Sequence, residues 1–179
     1  MRLLDKWVDE IHSGVGLELP MEPEQICAYL AVEYRRRVMH PCIDGLYYRT
    51  TTGVPFVYVN SRFRLMGRQR FTAAHEIGHH LIATACREKG CRFVDSAETA
   101  FSPVEAAANR LAANLLMPEK LVREFWEDLS SNRRYRIQIM ADRFEVTKSA
   151  MRIRAEELRL LRTDSVKRSS DEIPCWHTF

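Results

Sequence analysis

A chain of 179 residues, 46% hydrophobic and 28% charged, has the size and composition of one globular domain with a substantial core. No apolar run approaches the length that spans a membrane, and the start, Met1-Arg-Leu-Leu-Asp-Lys-Trp7, lacks the regions of a signal peptide. The net charge of +3 hides an asymmetry, because residues 130–170 carry eleven Lys/Arg against five Asp/Glu. A basic face of that kind suits nucleic acid, an acidic protein, or simply water. The five cysteines (Cys27, Cys42, Cys86, Cys91, Cys175) are odd in number and irregularly spaced, which predicts reduced thiols in a cytoplasm. Cys86 and Cys91 are poorly spaced for a zinc knuckle.

Taken in order, Leu3, Leu4, Trp7, Val8 and Ile11 form one apolar stripe, so a helix is predicted over residues 2–12, ended by Gly14 and Gly16. Pro23, a favoured first helical residue, starts a second helix through Ile26, Ala28, Tyr29 and Leu30. Residues 33–39, 46–50 and 55–59 are β-branched or aromatic, separated by Pro41, Asp44-Gly45 and Thr52-Gly53. They predict three short strands in an antiparallel sheet. Phe56 and Tyr58 alternate with Val57 and Val59, as on a strand with two different faces. The edge of such a sheet can hold an extended peptide by strand addition.

Residues 71–82 read Phe-Thr-Ala-Ala-His-Glu-Ile-Gly-His-His-Leu-Ile and contain H-E-x-x-H. On a helix, four steps of about 100° bring His75 and His79 within about 40° of each other, one turn apart. Two imidazoles on one face can bind a single Zn²⁺. Glu76, turned about 100° from His75, is placed to take a proton from water beside the metal. The bland reading is a buried helix whose histidines only bond in the core. His80 is not taken as a ligand.

Residues 87–101 lack periodicity and are predicted to form a loop across the site. Ser102-Pro103-Val104-Glu105 is a strong helix start, with Ser as cap, Pro first and Glu completing a capping box. The Ala- and Leu-rich helix that follows runs to Met117, and Pro118 starts another through Leu121, Val122, Phe125 and Leu129. A catalytic zinc has three protein ligands and an open position, so a third ligand must come from outside the first helix. Glu105 is the candidate, with Asn109 one turn on to accept a hydrogen bond from a ligand histidine. Spacing alone leaves open that Glu105 is only a cap and Asn109 an incidental polar residue. Residues 137–144, a Glu145-Val146 link and residues 147–161 form a helix-turn-helix-like pair, with Thr147 as cap. From Thr163 the chain is polar and reads as a frayed tail.

Two runs of residues together resemble the ImmA/IrrE family of metallo-endopeptidases. They are 70–80 (Arg-Phe-Thr-Ala-Ala-His-Glu-Ile-Gly-His-His) and 105–118 (Glu-Ala-Ala-Ala-Asn-Arg-Leu-Ala-Ala-Asn-Leu-Leu-Met-Pro). Segments 45–48, 57–60 and 141–151 are also similar, so the resemblance covers about residues 20–160. It departs at Leu111 and Asn114, where the family often has Phe and Glu. The resemblance implies an α+β fold: a mostly helical, zincin-like domain of reduced thermolysin (gluzincin) type. A small antiparallel three-stranded sheet would precede the H-E-x-x-H helix, and a helical part would follow. Within a single domain, residues 1–20 are the N-terminal helix and link, 21–129 the core, 130–162 the helical pair and 163–179 the flexible tail.

It further implies that Glu105 is the third zinc ligand beside His75 and His79; the expected roles of Asn109, supporting a ligand, and of Glu76, the general base, come from their places on the two helices. Zn²⁺ is the expected cofactor, with Mn²⁺ as the alternative. The expected activity is cytoplasmic cleavage of a helix-turn-helix repressor encoded nearby, in phage, mobile-element or stress control, with no nucleic acid or membrane partner. Tyr47, Tyr48, Tyr58 and Arg70 are candidate oxyanion donors. The alternatives are a non-catalytic DNA- or repressor-binding module, using Arg143, Lys148, Arg152 and Arg154 of the helical pair, and a toxin-like partner of an antitoxin.

Overall fold

The computed structural model describes residues 2–87, 92–94 and 102–161. The tail predicted over residues 163–179, with Cys175, and also Cys91, lie outside the described residues. The fold is α+β. The elements in order are α1 (Arg2–Val15), α2 (Pro23–Tyr29), β1 (Glu33–Arg37), β2 (Gly45–Arg49), β3 (Pro55–Asn60) and α3 (Met66–Ala85). There follow β4 (Arg92–Val94), α4 (Pro103–Leu116), α5 (Glu119–Asp128), α6 (Arg136–Phe144) and α7 (Lys148–Glu157). No described helix is long and apolar enough to cross a membrane.

Helix α3 is the axis of the molecule, and most of its residues are buried. On one side the sheet, α1 and α2 share a core of Val8, Ile11, Ile26, Tyr47, Val57, Val59, Ile77 and Leu81. On the other, α4 to α7 contribute Leu116, Met117, Val122, Met140, Phe144 and Met151, packed with Phe71 and Ala74 of α3. Each fully buried side chain such as Ile77 or Leu115 stabilises the fold by about 1.5–3 kcal/mol. Two cores flanking one helix explain why α3 is buried nearly all round.

Four expectations change in detail. Helix α1 continues through Gly14 to Val15, and Gly16, at φ +85, ends it. Gly14 is there for space: a Cβ on it would sit 2.2 Å from the Tyr29 ring. The sheet has order β1-β3-β2-β4, with β1 parallel to β3 and the other pairs antiparallel, so it is mixed and four-stranded. The hairpin partner β3 inserts between β1 and β2, because residues 38–44 are long enough to step over one strand position. The fourth strand lies in the stretch predicted as loop; three residues are too few to show a period. Finally, Ser102 caps α4 by accepting from the Glu105 amide, but the Glu105 carboxylate does not fold back to complete a box.

The helical pair forms as predicted, with Thr147 accepting from the Ala150 amide. Its basic face is smaller than the sequence suggested. Arg154 is buried, its Nε donating to the Met117 carbonyl at 3.1 Å, and it pairs with Glu157. It therefore ties α7 to the end of α4. Among the described residues Cys27, Cys42 and Cys86 are free thiols, and burial, followed by Glu24, pushes Cys27 up to about 12.

Candidate metal centre

Helix α3 divides its polar residues between two neighbours. His75 and His79, one turn apart, face α4, while Glu76 and His80 face the sheet. The crossing of α3 and α4 is close enough that a Cβ on Gly78 would meet Ala108 O at 2.9 Å. Residues on either side of Ala108, Glu105 and Asn109, are thereby set over the two histidines.

The result is a compact, buried donor set. His75 Nε2 lies 3.0 Å from His79 Nε2 and 3.0 Å from Glu105 Oε2, and His79 Nε2 lies 3.3 Å from Glu105 Oε1. His75 and His79 are 0% exposed and Glu105 5%. Among the described residues these three form the one group able to hold a metal ion. Burial raises the Glu105 carboxyl, but the imidazoles of His75 and His79 outweigh it and hold the group at about 2. It is a carboxylate at neutral pH.

The hydrogen bond from His75 Nδ1 to Asn109 Oδ1, 2.9 Å, decides the tautomer. An amide oxygen only accepts, so Nδ1 carries the proton and Nε2 presents its lone pair to the cluster. Opposite it, 3.0 Å away, lies Glu105 Oε2, with the His75 proton held on the far side of the ring at Nδ1. Lone pairs of nitrogen and a carboxylate oxygen converging out of water repel one another unless a cation lies between them. A tetrahedral ion with bonds of about 2.0–2.2 Å would hold its ligands about 3.3–3.6 Å apart, close to the separations found. The residues fit a divalent metal.

Phe93 of β4 was not foreseen. Its ring stacks on His79 with centroids 4.7 Å apart and planes 10° from parallel, fixing the second imidazole as Asn109 fixes the first. Two glycines were also missed as site residues. Gly78 sets the helix crossing, and Gly45, read as part of a turn, lies against Glu76.

The four candidate oxyanion donors lie in different surroundings. Tyr47 is fully buried with its hydroxyl 3.3 Å from His80 Nδ1. Tyr48 and Tyr58 stack on Phe56 on the opposite face of the sheet. Arg70 donates to Glu22 and to the Met21 carbonyl, anchoring the start of α2. Burial, then the Arg49 charge, lowers His80 to about 4, so it is neutral.

A family model described as the IrrE N-terminal-like domain, Peptidase_M78, matches residues 34–156. No curated protein matches the chain. A solved structure, a Mycobacterium tuberculosis transcriptional regulator, is similar in fold with a TM-score of 0.52 and 18% identity. That likeness covers 84% of this chain and 46% of the other, so the chain spans about half the length of the structure it matches.

Proposed function

Because the chain belongs to the Peptidase_M78 family of IrrE N-terminal-like domains, we propose that it is a zinc-dependent endopeptidase. The observation that carries this reading is the buried convergence of His75 Nε2, His79 Nε2 and the Glu105 carboxylate, with Glu76 on the adjoining face of the same helix. His75, His79 and Glu105 would hold the ion. A divalent metal there acidifies water and polarises a peptide carbonyl. Asn109 keeps His75 in the metal-binding tautomer and Phe93 keeps His79 in plane. Glu76 accepts the proton of the attacking water and passes it to the leaving amine, completing hydrolysis without net proton change.

An extended substrate would add to the sheet at β4, the strand at the end of the order that carries Phe93 beside His79. The substrate class, a helix-turn-helix repressor in phage, mobile-element or stress control, rests on the family resemblance and not on geometry. The test is to mix the purified chain, loaded with Zn²⁺ or Mn²⁺, with the repressor encoded beside it. Two defined fragments are expected with wild type, and intact repressor with Glu76→Gln or chelator. Metal-loaded protein that cuts neither that repressor nor any other candidate would turn the reading toward regulated binding.

A further inference from the structure

Strand β2 runs along α3 with its inward residues in step with the helix. Gly45 meets Glu76, Tyr47 meets His80, and Arg49 meets Thr84. Two strand residues advance about 6.6–6.8 Å and four helical residues about 6 Å, so the two repeats stay in register over this length. Tyr47 and Arg49 reach their partners through side chains. Gly45 does so with its backbone. A Cβ there would lie 2.5 Å from Glu76 Oε1, 2.9 Å from Glu76 Cγ and 2.6 Å from Thr72 Cγ2. Its φ is outside the left-handed region, so the requirement is for space and not for backbone freedom.

The residue before it is fastened to the same helix. Asp44 takes a bidentate ion pair from Arg68 in the first turn of α3, with contacts of 2.8 to 3.1 Å. Its carbonyl accepts the Asn60 amide at 2.9 Å. The β2–β3 ladder holds the strand from the other side.

We propose that Gly45 is a positioning residue for Glu76. Its backbone, clamped by Asp44 and Arg68, forms the wall that sets the Glu76 carboxylate for proton transfer. This deepens the peptidase reading and rests on it. When a methyl is added at Gly45 something must move, and the choices differ in stiffness. The strand is held by ladder bonds and a bidentate clamp, so the groups that must give way are the two in contact, the end of the Glu76 side chain and the Thr72 methyl. The carboxylate is displaced. His75, His79 and Glu105 meet on the α4 side of the helix, so the donor set stays in place.

The probe is Co²⁺ alone, bound to the full chain as wild type, Gly45→Ala, Glu76→Gln and the double variant, with the visible bands followed against pH. All four should take up one equivalent of Co²⁺. Glu76→Gln should displace the pH midpoint of the bands, and Gly45→Ala should displace it in the same direction by at least half as much. The double variant should show no displacement beyond Glu76→Gln alone, since Gly45 acts only through that carboxylate. A Gly45→Ala midpoint equal to wild type, or displacements that add, would overturn the proposal. Should Gly45→Ala fail to fold, Arg68→Met loosens the clamp without adding bulk, and an unmoved midpoint there has the same force. Failure of the peptidase reading looks different: no Co²⁺ bound by wild type, or a midpoint indifferent to Glu76→Gln.

Discussion

Gly78 and Ala108 touch where α3 crosses α4, and a Cβ on Gly78 would lie 2.9 Å from Ala108 O and 3.0 Å from Ala108 Cα. This contact sets the distance between the helix that carries two histidines and the helix that carries Glu105 and Asn109. Gly78→Val should therefore push α4 away and cost about 1–3 kcal/mol through overpacking. Metal affinity should fall with it, by about 10–100-fold, the usual scale for losing support around a ligand. Competition with a chromophoric chelator and a thermal melt check the two effects. Full affinity with a lowered Tm would limit Gly78 to packing.

The donor set predicts one metal per chain. His75→Ala, His79→Ala and Glu105→Ala should each sharply reduce occupancy, measured by elemental analysis after dialysis. Full occupancy in Glu105→Ala would return that residue to the role of helix cap. Asn109→Ala leaves the ligands in place but frees the His75 tautomer. It should weaken affinity about 10–100-fold.

Glu76→Gln keeps size and removes the proposed base. Metal content should be unchanged while turnover falls by about 10²–10⁴-fold. Repressor fragments appearing at the wild-type rate would take Glu76 out of the mechanism.

Stability should decline in mild acid. Burial lowers the pKa of His12 below 6.5 against opposing effects of the Leu115 carbonyl and Asp9, and burial with Arg49 lowers His80 to about 4. A group depressed in the folded state contributes stability that is present above its unfolded pKa and lost as pH falls through the folded one. Tm should thus drop progressively below pH 6.5. His12→Gln keeps a donor for the Leu115 carbonyl, 3.1 Å from His12 Nε2, and should flatten the curve just below pH 6.5. An unchanged slope would remove His12 as a source.

Arg154→Ala should destabilise the fold by about 1–3 kcal/mol, since the buried Met117 carbonyl loses its donor. Duplex DNA binding with sequence preference is not expected from the helical pair, because Met140, Phe144 and Met151 pack its inner face on the core and Arg154 is spent internally. Nanomolar, sequence-dependent shifts in a gel assay would reverse that expectation.

Local chemistry was legible in the sequence wherever it is settled within a turn or two of chain. The i, i+4 spacing puts His75 and His79 on one face whatever surrounds them, Ser102 and Thr147 are caps because the next turn needs an acceptor, and Pro23 begins α2. Tertiary structure decided what depends on distant segments meeting. Periodicity tells which face of a strand is buried but not which strand lies beside it, so the insertion of β3 between β1 and β2 and the pairing of β4 were invisible. Charge alone could not separate Arg154, which is buried against Met117, from its solvated neighbours. Whether Glu105 capped a helix or faced two imidazoles turned on the α3–α4 crossing, and that crossing depends on Gly78 having no side chain where Ala108 passes.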